Sequence, residues 1–159
     1  MLAEKCKVAV FVSGGGTNLQ AILDSRGEII KNAEICLVAS NNKDAYALER
    51  AKKHDIETFI IEDEQRLVEK LKSLEIDFIV LAGYLRILSE DFCKRYSNRI
   101  INVHPSLIPS FCGKGFYGLK VHEKALEYGV KVSGATVHFV NEIPDGGKII
   151  DQKAVRVHE

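Results

Sequence analysis

The stretch KVAVFVSGGGTNLQAIL, residues 7–23, contains a short apolar run, a glycine-rich loop and an amphipathic segment, in that order. The valine-rich run predicts a buried strand. Leu19, Ile22 and Leu23 fall on one face of the helix that the loop would open. A strand that leads directly into a helix is the repeating unit of parallel α/β sheets, so this stretch predicts an α/β fold.

The rest of the chain repeats this alternation and then departs from it. Helix-like segments separate four further apolar runs: EICLVAS from 34, IETFII from 56, DFIVLAG from 77 and RIINV from 99. After residue 131 come two extended segments joined by a Pro-Asp-Gly-Gly turn, which is typical of an antiparallel pair. We expect an open, mostly parallel, Rossmann-like sheet with helices on both faces and an antiparallel strand pair near the C-terminus. Thr17 and Asp44 are capping residue types and predict the starts of the first two helices.

Length and composition favour a single domain over residues 1–159 and exclude several classes of partner. The 22 basic and 22 acidic residues balance, which disfavours nucleic-acid binding by bulk electrostatics. The first apolar run is too short for a signal peptide and no later run reaches membrane-spanning length. The four cysteines form no CxxC pair, so we expect reduced thiols, no zinc cluster and a cytoplasmic location.

The glycine loop lies where backbone N–H groups and a helix dipole favour an anion. It does not match a dinucleotide fingerprint, because Leu19 replaces the third glycine and residues 40–42 supply no acidic residue. It also lacks the GK[ST] of a P-loop. Thr17 and Asn18 add a hydroxyl and an amide, which favours a compact phosphate monoester. A tight turn with a threonine cap is the structural alternative, and the loop alone does not decide between them.

A second polar group closes the fifth apolar run. Asn102 and His104 are two apart, so on a strand they project to the same side. An amide and an imidazole can both donate to one developing oxyanion, and the imidazole can also transfer a proton. Asp145 in the later turn would favour a protonated His104 if the fold brings the two together. The structural alternatives are a strand-end histidine with a satisfied hydrogen bond and an ordinary turn aspartate.

Four motifs in this order resemble the phosphoribosylglycinamide formyltransferases, a branch of the folate-dependent formyltransferase and hydrolase family. They are SGGGTNLQAIL from 13, LAGYLRILS from 81, NVHPSLIPS from 102, and SGATVHFV from 133 with the DGG that ends at 147. The resemblance implies transfer of a formyl group from 10-formyltetrahydrofolate, a co-substrate, to the amine of phosphoribosylglycinamide in purine biosynthesis. It implies small-molecule substrates, no metal, and a monomer or homodimer.

The resemblance also implies a role for each matching position. The N-terminal half would bind phosphate and the C-terminal half would bind folate and hold the catalytic residues. The implied phosphate-binding residues are Gly16, Thr17 and Asn18. The implied catalytic residues are Asn102, His104 and Asp145. The implied folate-binding residues are Leu85, Arg86, Ile87, Leu88, Asn102, Asn141, Ile143 and Asp145, with Arg66 as a further candidate for the folate tail.

Other interpretations stay open at this point. A related enzyme could formylate another acceptor or hydrolyse the formyl-folate. Relatives usually continue beyond position 159 into a helical tail, so an inactive folate- or phosphosugar-binding module is the non-enzymatic alternative. His138 is expected to be a core or supporting histidine rather than a catalyst. Ser106 is expected to form a loop hydrogen bond, and the glycine-rich loop FCGKGFYG at 111–118 is a candidate mobile lid.

Overall fold

The computed structural model describes residues 5–158, which form two compact units that meet in sequence at Arg86 and Ile87. The strands are β1 (Cys6–Val12), β2 (Ala33–Ser40), β3 (Glu57–Ile60), β4 (Phe78–Leu81), β5 (Ile100–His104), β6 (Val132–Phe139) and β7 (Ile149–Arg156). The helices are α1 (Thr17–Asp24), α2 (Tyr46–Lys53), α3 (Glu64–Ser73), α4 (Glu90–Arg95) and α5 (Leu119–Tyr128). The strands β1–β5 overlap the five apolar runs identified in the sequence, and β6 and β7 overlap the two extended segments predicted after residue 131.

The first unit is built on four parallel strands in the order β3-β2-β1-β4. Both faces of the central strand β1 are buried, as a sheet covered on both sides requires. Its Val8, Val10 and Val12 belong to one apolar cluster with buried residues of α1 and α2. On the opposite face Ala9 and Phe11 have no solvent exposure. The predicted strand–helix alternation is therefore confirmed in this unit.

The two predicted helix caps are wrong. The residue that precedes α1 is Gly16, whose φ of 76° turns the chain directly into the helix, so Thr17 is already the first helical residue. The α2 helix starts at Tyr46 after Ala45, and neither helix has a side-chain cap. Instead of capping α2, Asp44 donates its backbone N–H to the side chain of Asn42 at 3.0 Å and forms the preceding turn.

In the second unit, β6 pairs antiparallel with β5 on one side and with β7 on the other. The β6–β7 pairing confirms the strand pair predicted near the C-terminus, and parallel pairing among β1–β4 confirms the mostly parallel α/β class. No helix within residues 5–158 is long and apolar enough to cross a membrane. The single-domain interpretation stays a prediction.

Candidate active site

The pairing of β5 with β6 determines which side chains face one another in the second unit. Asn102 lies directly opposite His138, and His104 lies directly opposite Thr136. Residues two apart on a strand share a face, and opposed residues on neighbouring strands share it too. Four polar side chains therefore lie on one face of this sheet, and three of them, His104, Thr136 and His138, are buried.

The structure brings His104 and Asp145 together. The imidazole Nδ1 lies 3.5 Å from the Oδ1 atom of Asp145, and the His104 side chain is only 4% exposed. Its Nε2 lies 2.8 Å from the Phe111 carbonyl oxygen, an atom that can only accept, so Nε2 carries a hydrogen. The other ring nitrogen of His104, Nδ1, faces the carboxylate.

The carboxylate of Asp145 is held from its other side by the backbone. The Gly113 N–H donates to Asp145 Oδ2 at 2.8 Å, which leaves Oδ1 directed toward the imidazole. Asp145 has a φ of 55°, a left-handed conformation in which Asp and Asn are among the few tolerated side chains. The position thus requires a short polar side chain for backbone reasons as well as for charge.

His138 completes this cluster, and it lies beside Asn102 and Asp145 in the supporting position that was one of the two expected for it. It is 2% exposed. Its Nε2 lies 3.2 Å from Asn102 Nδ2 and 3.7 Å from Asp145 Oδ1. Its Nδ1 lies 2.8 Å from the Phe139 carbonyl oxygen. The two-residue alternation in SGATVHFV places Thr136 and His138 on one face of the strand. Only the pairing with β5 shows that this face is the one that holds Asn102.

A buried threonine anchors the loop that follows His104. The Thr136 hydroxyl donates to the Ser106 carbonyl at 2.7 Å and accepts from the Ile108 N–H at 3.1 Å. Gln152 on β7 donates to the same hydroxyl and to the Ile108 carbonyl, both at 3.0 Å. The Ser106 hydroxyl donates to the Ser110 carbonyl, which is the loop hydrogen bond expected of it.

The turn from Asn141 to Gly147 is shaped by its own backbone contacts. The Asn141 side chain accepts from the Ile143 N–H at 2.9 Å, and the Ile143 side chain is 59% exposed. A Cβ on Gly147 would lie 1.6 Å from the Phe139 carbonyl oxygen, so only glycine fits there. The turn therefore presents an apolar side chain to solvent while it positions Asp145.

The glycine loop of the first unit is also fixed by packing. A Cβ on Gly16 would lie 2.6 Å from the Ala47 Cβ, so α2 approaches the loop closely. Arg50 on α2 donates from Nε to the Gly15 carbonyl at 2.7 Å, a contact that was not predicted. Thr17 and Asn18 are exposed at the start of α1.

The predicted folate segment is mostly open to solvent. Leu85 and Ile87 are 58% and 76% exposed, whereas Leu88 is buried, so the Leu88 side chain packs inside the protein. Arg86 is exposed as well. Arg66, the candidate for the folate tail, is exposed on α3, where its guanidinium Nη1 lies 2.8 Å from Glu62. Within residues 5–158 no three or more His, Cys, Asp or Glu side chains are grouped to hold a metal ion.

The side chains of Tyr84 and Cys112 have raised pKa values. Burial raises the pKa of the Tyr84 hydroxyl to about 12, with Arg86 opposing the shift. Burial also raises the pKa of the Cys112 thiol, and the charge of Asp145 adds to the increase. Cys112 is therefore a poor nucleophile in this setting.

The protein has an α/β fold. Its strand-end cluster combines an amide, an imidazole and a carboxylate, which are groups that can transfer a proton and stabilise an oxyanion. The family model described as formyl transferase matches residues 6–159, and the chain belongs to this family. A curated relative, the chloroplastic phosphoribosylglycinamide formyltransferase of Arabidopsis thaliana, is 40% identical over 161 residues, which is 95% of this chain.

Solved structures agree with this assignment. The phosphoribosylglycinamide formyltransferase of Anaplasma phagocytophilum has a TM-score of 0.89 and 36% identity over 98% of this chain and 74% of its own. A formyltetrahydrofolate deformylase from Pseudomonas syringae has a TM-score of 0.84 and 31% identity over 98% of this chain and 52% of its own. The chain spans 55% of the length of the Arabidopsis relative.

Proposed function

We propose that the protein transfers the formyl group of 10-formyltetrahydrofolate to the amine of phosphoribosylglycinamide, a step of purine biosynthesis. The observation that carries the proposal is the pairing of the buried His104 with Asp145, 3.5 Å apart at the end of a strand that also holds Asn102. The SGGGTNL loop and the curated relative named above support phosphoribosylglycinamide as the acceptor. The cytoplasmic location and the monomeric or homodimeric state stay predictions.

In this mechanism the neutral amine attacks the formyl carbon and the formyl oxygen becomes an oxyanion. Asn102 retains a second amide hydrogen beyond the one directed at His138, and it would donate to this oxyanion. Nδ1–H of protonated His104 would be the second donor. At 3.5 Å it is farther from Asp145 than an ordinary hydrogen bond, so it has room to engage the substrate.

Asp145 has two tasks in this proposal. Its Oδ1 atom faces His104 Nδ1 and would balance the charge of the imidazolium that donates to the oxyanion. It would also accept, through water, a proton from the ammonium that forms when the amine attacks. Once that proton has left, the oxyanion reforms the carbonyl as the bond from the formyl carbon to the folate nitrogen breaks, and the proton held by Asp145 passes through water to the folate nitrogen.

The glycine loop would hold the substrate phosphate. Backbone N–H groups at the start of α1 and the helix dipole favour an anion there, and the exposed Thr17 and Asn18 add polar groups. Arg50 fixes the loop through the Gly15 carbonyl and adds positive charge next to it. In the second unit, the exposed apolar side chains of Ile87 and Ile143 suit contact with a pteridine ring.

The proposal is tested with purified protein, 10-formyltetrahydrofolate and phosphoribosylglycinamide. Mass spectrometry of the acceptor should show addition of one formyl group, with stoichiometric release of the deformylated folate. His104→Ala should lower the rate by about 10²- to 10³-fold, the usual cost of losing an oxyanion donor. His122→Ala, on the exposed side of α5, is the matched control and should retain the wild-type rate.

Hydrolysis of the formyl-folate is the second candidate, favoured by the structural likeness to a formyltetrahydrofolate deformylase. Release of formate without the amine acceptor, and no faster with it, would support a hydrolase and contradict the proposal. Calorimetric binding of a folate with no turnover of either kind would instead support an inactive binding module.

A further inference from the structure

His138 accepts a hydrogen bond from the side-chain amide of Asn102. The two residues are directly opposed in the β5–β6 register, and Asn102 Nδ2 lies 3.2 Å from His138 Nε2. An amide nitrogen can only donate, so Nε2 of this imidazole carries no hydrogen. The contact determines which end of the Asn102 amide lies beside His138.

The other imidazole nitrogen fixes the tautomer. His138 Nδ1 lies 2.8 Å from the carbonyl oxygen of Phe139, which can only accept, so Nδ1 carries the hydrogen. His138 is therefore a neutral imidazole with its hydrogen on Nδ1. Its 2% exposure keeps water from offering Nε2 an alternative partner.

Asp145 supplies the reason why the neutral form matters. Its Oδ1 atom lies 3.5 Å from His104 Nδ1 and 3.7 Å from His138 Nε2, so one carboxylate oxygen faces two imidazoles. Two imidazolium ions at this oxygen would repel each other. A neutral His138 leaves His104 as the cation that Asp145 pairs with, and accepts from the amide nitrogen of Asn102 without competing for the carboxylate.

We infer that His138 is a positioning residue for formyl transfer. Held in its neutral Nδ1–H form, it orients Asn102 so that the amide nitrogen and His104 present their N–H groups to one oxyanion. This inference rests on the proposed function for its catalytic consequence, whereas the tautomer and the Asn102 orientation are properties of the protein itself.

The catalytic test compares two substitutions at position 138. His138→Gln keeps an acceptor oxygen near the place of Nε2, whereas His138→Leu removes the acceptor. We expect His138→Leu to lower kcat by about 10- to 100-fold with KM unchanged, since a misplaced group costs rate rather than binding. His138→Gln should retain most of kcat. Equal losses in the two variants would overturn the inference.

A double-mutant cycle separates positioning from a general structural defect. In an Asn102→Ala background the His138→Leu substitution should cost almost nothing further, because the amide it orients is gone. A full additional loss in that background would contradict the inference. If His138→Leu does not fold, the same cycle with His138→Gln should show little loss in either background.

A spectroscopic measurement tests the tautomer without any turnover. Long-range ¹⁵N–¹H correlations of the imidazoles in the wild-type protein at neutral pH should show His138 with its hydrogen on Nδ1. An Nε2–H form or an imidazolium at position 138 would overturn the inference. Wild-type protein that fails to formylate would refute the proposed function, and this spectrum would still decide the orientation.

Discussion

Replacement of Asp145 by asparagine separates the charge of this residue from its structural role. The Gly113 N–H donates to Asp145 Oδ2 at 2.8 Å, and an asparagine carbonyl in that place would accept equally well. The new amide would then face His104 Nδ1 and donate to it. Nε2–H of His104 already donates to Phe111, so the variant would hold His104 as a neutral imidazole in nearly unchanged geometry.

The expected effects on rate and stability differ in size. The variant loses the imidazolium as an oxyanion donor and the carboxylate as a proton acceptor, so we expect Asp145→Asn to lower kcat by about 10²- to 10³-fold, or about 3–4 kcal/mol. Stability should change by less than about 1 kcal/mol, because asparagine also tolerates the φ of 55°.

Asp145→Ala is the matched comparison. It loses a hydrogen bond to a charged acceptor, worth about 1.5–3 kcal/mol. It also places alanine in the left-handed region, at a cost of about 1–2 kcal/mol. Urea unfolding should therefore separate the two variants by at least about 2 kcal/mol while both remain slow in formyl transfer. An asparagine variant within threefold of the wild-type kcat would refute the role of the charge, and equal stability of the two variants would refute the backbone argument.

Three further predictions concern packing and pH. Gly16→Ala should lower the free energy of unfolding by about 2–4 kcal/mol in urea, since the φ of 76° and the 2.6 Å approach to Ala47 both penalise a Cβ; Gly14→Ala, where a Cβ meets nothing within 4 Å, should not. Burial holds the pKa of Tyr84 at about 12 against about 10 when unfolded, so the unfolded state loses its proton first. The protonated Tyr84 therefore contributes fully to the free energy of unfolding below about pH 10, and this contribution is lost between about pH 10 and 12. Over that range the urea midpoint of Tyr84→Phe should fall less than that of the wild type. Thr136→Val should cost about 1–3 kcal/mol in urea by leaving buried loop groups unpaired, whereas Thr136→Ser, which keeps the hydroxyl, should cost less.

The fold could be predicted from the sequence because each strand carries a strong local signal. Apolar runs such as KVAVFV are too short for helices and are bounded by turn residues, so their period and length suffice. The predictions of the two helix caps were wrong because the start of a helix depends on backbone geometry that tertiary contacts select. At Gly16 the chain is left-handed and α2 approaches closely, and neither the backbone angle nor this contact can be read from neighbouring residues in the sequence.

The site residues also differ in whether a local pattern or a tertiary contact identifies them. Asn102 and His104 could be predicted from their two-residue spacing, because they share one strand. The contact between His104 and Asp145 joins residues 41 positions apart, and only the resemblance indicated it. The role of Arg50 could not be predicted, because an arginine on a helix has no distinguishing local pattern. Its role depends on the tertiary contact with the Gly15 carbonyl.

His138 shows how a register can carry chemistry that no single segment contains. Antiparallel pairing sets it opposite Asn102, and a shift of one residue in that pairing would present Val137 or Phe139 instead. Neither of these side chains can accept a hydrogen bond from the amide. The β5–β6 register is therefore part of the proposed active site, and substitutions that disturb it should affect the orientation of Asn102 before they affect the fold.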